Sequence, residues 1–378
     1  MTTPEFSFRV EARARDSAAR SGVFSTPHGD VPTPAFMPVG TRGTVKGVLP
    51  RDLAEAGATM ILANALHLHQ RPGEAVVEFL GGLHAFMGWP GPILTDSGGY
   101  QVFSMRDACD LDEQGATFRS SADGSRVRFT PERAMDVQRA LGADVIMAFD
   151  HCPADPLERE AVRQATDRTH RWLDRSVRRW RENGGLAAGQ ALFGIVQGGA
   201  FEDLRRGSVE SVAAHDLVGY AIGGTSLGEQ REATFDAVAA AAPLLPDDRP
   251  RYLMGVGTPL DFLEAVERGV DLFDCVTPTR HARNDQAYTS RGRVNLRNRR
   301  WIDERSPLDP TCDCPACTGY PTGVLRHLAV TREMLAGVLL SLHNLRVFHR
   351  LLARIRAAVA EDRLAGLRQE IEAMQGRA

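Results

Sequence analysis

The sequence predicts an α/β protein built as a (β/α)8 TIM barrel with a zinc-binding subdomain and C-terminal helices. Three observations carry this expectation: short apolar runs alternate with helical segments, polar and glycine residues stand at the C-terminal ends of those runs, and a cysteine cluster follows after the rhythm stops. At 378 residues, 43% hydrophobic and 25% charged, the chain can bury a sizeable core, which excludes disordered, collagen-like and coiled-coil classes. No stretch approaches the roughly 18 apolar residues of a membrane span. Glu5, Arg9, Glu11 and Arg13 break up the N-terminal apolar residues, unlike a secretory signal, so a cytoplasmic location is expected.

Taken in order, the β-type runs are 35–39, 59–63, 92–95, 145–149, 192–196, 220–222, 251–254 and 270–273. Helical patterns lie between many of them, at 131–141, 156–181, 201–214, 229–241 and 259–268. Thr130 before Pro131 and Thr258 before Pro259 put a hydroxyl at the cap and a proline where its missing N–H costs nothing. Such alternation favours parallel strands, and the strand ends decide between a closed and an open sheet. Asn64, Asp96, Asp150, Gln197, Gly223 with Gly224, Gly255 and Asp274 all stand at or just past the end of a run. A barrel gathers such residues at one mouth, whereas a doubly wound sheet spreads them along an edge. We expect the barrel core to occupy 1–295, the zinc-binding subdomain 296–350, and a C-terminal helix packing on the barrel 351–378. Across 325–375 the pattern is largely helical, with an apolar stripe at Leu335, Leu339, Leu342, Leu345 and Phe348 facing the main body.

Asp96, Asp150 and Asp274 each precede a sharp or constrained turn. Singly, such a residue is a helix cap or turn former. Together at one mouth, two carboxylates are equipment for displacement at a sugar carbon, one attacking and one moving protons, while a third reads a base edge. The pairs Gly98-Gly99, Gly198-Gly199 and Gly223-Gly224 permit close backbone approach to a ligand. Beside Gln197, whose amide both donates and accepts, the last two pairs suit a flat heterocycle, with Tyr100 and Met254 placed to sandwich it. The net charge of −3 hides one basic block: between Thr277 and Trp301 stand seven arginines against Asp285 alone, a candidate phosphate-binding stripe. Lys46 is the only lysine, which argues against Schiff-base chemistry.

Cys312, Cys314 and Cys317 crowd into one proline-containing turn. A disulfide is disfavoured in a cytoplasmic chain, and three thiols exceed what packing needs, so a metal is expected. Three thiolates and a histidine suit structural zinc better than an iron–sulfur cluster, for which a fourth nearby cysteine is missing. His327, His343 and His349 all follow, and spacing alone does not choose among them. Cys152 and Cys275 flank site residues without a positioned base and are read as lining residues.

These motifs resemble those of the bacterial tRNA-guanine transglycosylases of the queuosine pathway. The similarity runs through Met37-Pro-Val-Gly-Thr41, Asp96-Ser-Gly-Gly-Tyr-Gln101, Gly194-Ile-Val-Gln-Gly-Gly199, Asp274-Cys-Val, Pro278-Thr-Arg280 and the cysteine turn with His343. The resemblance implies a zinc-bearing barrel, active as a homodimer, that exchanges the wobble guanine of a tRNA anticodon loop for the 7-deazaguanine base preQ1. It implies Asp274 as nucleophile and Asp96 as general acid/base. It further implies Ser97, Tyr100, Asp150, Gln197, Gly224, Glu229 and Met254 around the base, and Arg280 and Arg283 on the tRNA. Zinc would be held by Cys312, Cys314, Cys317 and His343. Ala65-Leu66, His151 and the triplet Thr225, Ser226, Leu227 depart from the family pattern at the pocket rim, while Leu227 is bulky where the eukaryotic enzymes have glycine and Cys152 is bacterial in type. A catalytically silent tRNA-binding subunit of the same family is the alternative.

Overall fold

In the computed structural model eight parallel strands close on themselves in chain order: β1 (Ala35–Gly40), β2 (Ile61–Asn64), β3 (Ile93–Asp96), β4 (Val145–Met147), β5 (Ala191–Val196), β6 (Gly219–Ile222), β7 (Arg251–Leu253) and β8 (Leu272–Cys275). The structure describes residues 6–104, 109–120, 124–153, 155–225 and 230–375. The barrel closes where β8 pairs with β1 and Asp274 stands opposite Met37. The strands alternate between two apolar surroundings. Met37, Leu62, Leu94, Met147, Phe193, Ile195 and Tyr252 belong to one buried cluster, while Phe36, Ile61, Ile93, Ile146, Leu192, Ile222 and Phe273 pack in another with residues of the surrounding helices. Successive strand residues point to opposite faces, so a strand buried on both reads as an unbroken apolar run.

All eight runs expected from the sequence are barrel strands, with no end displaced by more than two residues. The last is displaced most usefully: 270–273 was expected and Leu272–Cys275 is found, so Asp274 lies inside β8 rather than past it.

Two three-stranded antiparallel sheets were not anticipated. Ser7–Arg13, Arg20–Thr26 and Gly29–Thr33 form an N-terminal sheet whose Phe24 and Val31 join the same apolar cluster as Met37 and Leu94. A second sheet, Cys109–Leu111, Ala116–Arg119 and Arg126–Phe129, is inserted between β3 and the helix Pro131–Leu141.

After β8 the chain makes a short helix, Thr277–Ala282, a hairpin, Gln286–Thr289 with Gly292–Asn295, and the cysteine turn before it returns to the barrel. The return is the helix Met334–Ala360, which runs unbroken through residue 350. It packs on the helices Pro50–Ala56 and Pro259–Val266, the place of the eighth barrel helix. Phe348 fixes it there, 5.6 Å from Phe36 and 5.4 Å from Phe262 between ring centroids. Leu339, Leu342 and Leu345 are buried on the same helix, but Leu335 is exposed and leaves the expected stripe one residue short. The helical pattern of 325–375 is three helices, Thr322–Val330, Met334–Ala360 and Leu364–Gln375. The breaks occur at Arg332 (φ 61°) and Asp362 (φ 54°), left-handed positions filled by residues other than glycine.

A buried ion pair ties the N-terminal sheet to the barrel. Arg20 donates to both oxygens of Asp271 at 2.9 and 2.6 Å and to the carbonyls of Asp247 and Arg249 at 2.8 Å, with both side chains of the pair out of contact with water. Removing one partner strands the other charge. Arg20→Ala is expected to cost about 3–5 kcal/mol of unfolding free energy, read from denaturant midpoints, and a loss below about 1 kcal/mol would contradict the clamp.

Candidate active site and metal centre

Three strand ends bring Asp96, Asp150 and Asp274 to one mouth of the barrel. Asp96 closes β3 beside its register partner Asn64 at the end of β2. The Asn64 amide donates to Asp96 Oδ2 and the Ala65 N–H donates to Oδ1 at 3.0 Å. Asn64 is itself held because its Oδ1 caps the helix Ala65–Gln70, accepting from His67 N–H at 2.9 Å. Loss of water raises the Asp96 pKa to about 8; the Ala65 donor opposes this, and the charges of Asp274 and Asp150 add to it. Asp96 thus lies within reach of the charges of the other two carboxylates.

Asp274 is treated differently. Tyr252 O–H and Gly255 N–H both donate to its Oδ1, at 2.6 and 2.8 Å. Desolvation raises its pKa, and these two donors work against that rise by favouring the anion. Tyr252 reaches it from the neighbouring strand β7, where it stands between Arg251 and Leu253.

Asp150, three residues beyond β4, is buried. It accepts from Ser97 Oγ at 3.1 Å and Gln197 Nε2 at 2.8 Å, with the Cys152 thiol at 3.7 Å. Burial lifts its pKa to about 6 against the pull of these donors. Gln197 continues towards Gly224, where a Cβ would lie 2.1 Å from its Oε1, and a Cβ on Gly99 would lie 1.9 Å from Asp150 Oδ1. Glycine is obligatory at both places because a side chain would occupy the space of the polar group. Behind Gly224 the buried guanidinium of Arg205 donates to the carbonyls of Gly199, Gly223 and Gly224 at 2.7, 2.6 and 3.0 Å. It locks two glycine turns with one side chain.

Of the remaining expected residues, Met254 borders Gly223, with its sulfur 3.6 Å from where a Cβ would be. Tyr100 sits on the helix Gly99–Ser104 and is 55% exposed at the rim. Arg280 and Arg283 are exposed at the end of the short helix following Asp274. Within the basic block Arg297 is paired with Asp285 at 2.5 Å, so its charge is locally balanced. Glu229, with Ser226 and Leu227, lies outside the described residues. Burial raises the Cys152 thiol well above its ordinary range and Cys275 to about 12, which fits lining groups and not nucleophiles. Asn64 was seen only as a strand-end residue, and the contributions of Tyr252 and Arg205 were missed. A tyrosine in a buried strand and an arginine in a helix carry no local sign of the partners the fold supplies.

Cys312, Cys314, Cys317 and His343 form a buried cluster able to hold a metal ion, their ligand atoms all within 4.8 Å of one another. The sulfurs of Cys314 and Cys317 lie 3.4 and 3.3 Å from His343 Nδ1. The other ring nitrogen donates to the Tyr288 carbonyl at 2.6 Å, which leaves Nδ1 bare for a metal. Next along the helix, Asn344 bonds Tyr288 N–H and the carbonyls of Pro278 and Gln286, tying the hairpin to the same helix. His327 is exposed and His349 packs against Phe36 at 5.7 Å, so the choice among the three histidines falls on His343.

Among the described residues no helix is long and apolar enough to cross a membrane. The family model for queuine tRNA-ribosyltransferase matches residues 16–377. A queuine tRNA-ribosyltransferase of Nostoc sp. is 50% identical over 358 residues, covering 95% of this chain and 94% of its own. Proteins of the same name from Thermosynechococcus vestitus and Thermus thermophilus are each 51% identical, covering 97% of this chain and 96% and 93% of theirs. A match over almost the whole length, with half of the aligned positions identical, means that this chain belongs to the queuine tRNA-ribosyltransferase family.

Proposed function

We propose that the protein is a tRNA-guanine transglycosylase of queuosine biosynthesis, exchanging the wobble guanine of tRNA anticodons for preQ1 through a covalent aspartyl-ribosyl intermediate. The observation that carries the reading is the division of labour between Asp96 and Asp274: one carboxyl has its pKa pushed to about 8 and the other holds two donors on a single oxygen. An ionised Asp274 attacks C1′ of the ribose with Oδ2, the C1′–N9 bond breaks, and protonated Asp96 gives its proton to the departing guanine. The incoming base then loses its N9 proton to Asp96, bonds to C1′ and displaces Asp274. One glycosidic bond replaces a similar one, so no external energy source is needed.

A base stacked within a loop cannot be attacked, and the nucleotide has to swing out into the mouth. Asp150, Gln197, Ser97 and the Gly224 backbone read its polar edge, Tyr100 and Met254 cover its faces, and Glu229 assists exchange. Arg280 and Arg283 hold anticodon-loop phosphates. The cysteine cluster holds one zinc ion per chain, which, when bound, pins the hairpin to the barrel helix and takes no part in the chemistry. A cytoplasmic homodimer, divided into barrel, zinc segment and terminal helix, belongs to the same proposal. The silent-subunit alternative is not favoured, because a protein that only bound tRNA would have no use for three carboxylates in one mouth.

Asp274→Asn is expected to abolish the denaturant-resistant protein–RNA adduct while leaving metal content unchanged; an adduct of undiminished yield refutes the nucleophile. Because Asp96 donates a proton in the first step, kcat/KM for tRNA is expected to fall as pH rises through about 8, where the acid form is lost. Asp96→Asn is expected to remove that limb and about 10²–10⁴ of the rate, and a limb that survives the change belongs to another group. Arg280→Ala is expected to weaken tRNA binding and reduce the slope of log K against log salt by about 1; an unchanged slope takes Arg280 off the phosphates.

A further inference from the structure

At the end of the barrel opposite the mouth, His28, His84 and Asp144 converge from three separate segments. His28 is in the turn joining Arg20–Thr26 to Gly29–Thr33, His84 lies on the helix Gly82–Met87, and Asp144 immediately precedes β4. The Asp144 carboxylate is inaccessible to water and is oriented by Ile93 N–H, which donates to Oδ2 at 2.8 Å. His28 Nδ1 is 2.6 Å from Oδ1 and His84 Nε2 is 3.3 Å from Oδ2. The two imidazoles stack with centroids 3.6 Å apart.

The proton arrangement at His84 is the informative feature. Its Nδ1 lies 3.3 Å from the Trp89 carbonyl, which can only accept, so Nδ1 carries the hydrogen. The other ring nitrogen, Nε2, is buried and points at Asp144 Oδ2 across 3.3 Å. A cation seated between these two atoms would take one ligand from each. His343 shows the same pattern, with one ring nitrogen committed to a carbonyl and the other turned to the cysteines.

We propose that His28, His84 and Asp144 form a second metal site, for a divalent transition ion of the zinc class. Two imidazoles and one carboxylate suit such ions, whereas calcium and magnesium need more oxygen ligands. His28 is 42% exposed at its side chain and borders a cavity of about 460 Å³ shared with Asp30, Arg51 and Trp89, which gives an ion an entry path and room for water ligands. With three protein ligands and an open position, this ion exchanges more readily than one held by the cysteine cluster. It cross-links the N-terminal sheet, a barrel helix and the base of β4, on the face where a barrel keeps its stability and not its chemistry.

The test uses full-length protein whose cysteine site is already filled, with Zn2+ alone as probe. Metal per chain is counted after equilibration and again after dialysis against a chelator, for wild type, His28→Gln and His84→Gln. Wild type is expected to gain a second ion that the chelator removes while the first stays, and neither variant gains it. Zn2+ at about 100 times its dissociation constant is expected to raise the wild-type Tm by about 3 °C and leave both variants unmoved. His28→Gln alters an exposed turn and keeps the fold available for comparison. A wild type that holds only the first ion overturns the proposal, as does a second ion that persists in both variants.

Discussion

Asp96, Asp150 and Asp274 stand at the ends of three strands of one closed barrel, each drawn out of bulk water, and the charges of Asp150 and Asp274 raise the pKa of Asp96. Much of the surrounding structure decides which of them bears a charge. Asp274 receives Tyr252 and Gly255 on one oxygen, Asp150 receives Ser97 and Gln197, and Asp96 receives Asn64 and Ala65 while also feeling the other two. Three residues of one type thereby sit among three different sets of donors. Groups whose environments separate their pKa values can act as acid and nucleophile in the same site.

The wall beside these carboxylates is made of backbone. Gly99 and Gly224 approach Asp150 and Gln197 so closely that no side chain fits, and turns of this kind need support because glycine favours no single conformation. At Gly224 Arg205 supplies it. Its buried guanidinium donates to carbonyls of the Gly199 and Gly223-Gly224 turns, so the placing of Gly224 beside Gln197 depends on a residue that lies behind it. Farther out, the cysteine-bearing segment lies in the chain between β8 and the helix that covers the barrel beside it. Holding His343 in the cysteine cluster therefore also holds the last barrel helix against Phe36 and Phe262.

The barrel was legible because its strands are buried on both faces and end in polar or glycine residues, which gives each an apolar body and a marked end. The strand-end residues Asp96, Asp150, Gln197, Gly224 and Asp274 were found by that punctuation, and the cysteine turn by its density of thiols. Ser7–Arg13 was passed over because it alternates apolar and polar residues with a period of two, a signal that a scan for continuous apolar runs does not register. The helix breaks at Arg332 and Asp362 lack the glycine that usually marks a left-handed position. Tyr252 and Arg205 acquire their roles from partners distant in the chain: Tyr252 meets Asp274 across neighbouring strands, and Arg205 meets carbonyls of two separate loops.

The central claim is that Asp96 and Asp274 share one electrostatic field, which can be measured without turnover. The carboxyl carbon of Asp96, followed by NMR through a pH titration of the free protein, is expected to titrate near pH 8 in the wild type and at clearly lower pH once Asp274→Asn removes the neighbouring charge. A titration that begins near the ordinary aspartate value, or one that the substitution leaves in place, would mean that the two carboxyls are electrostatically separate and would contradict this account.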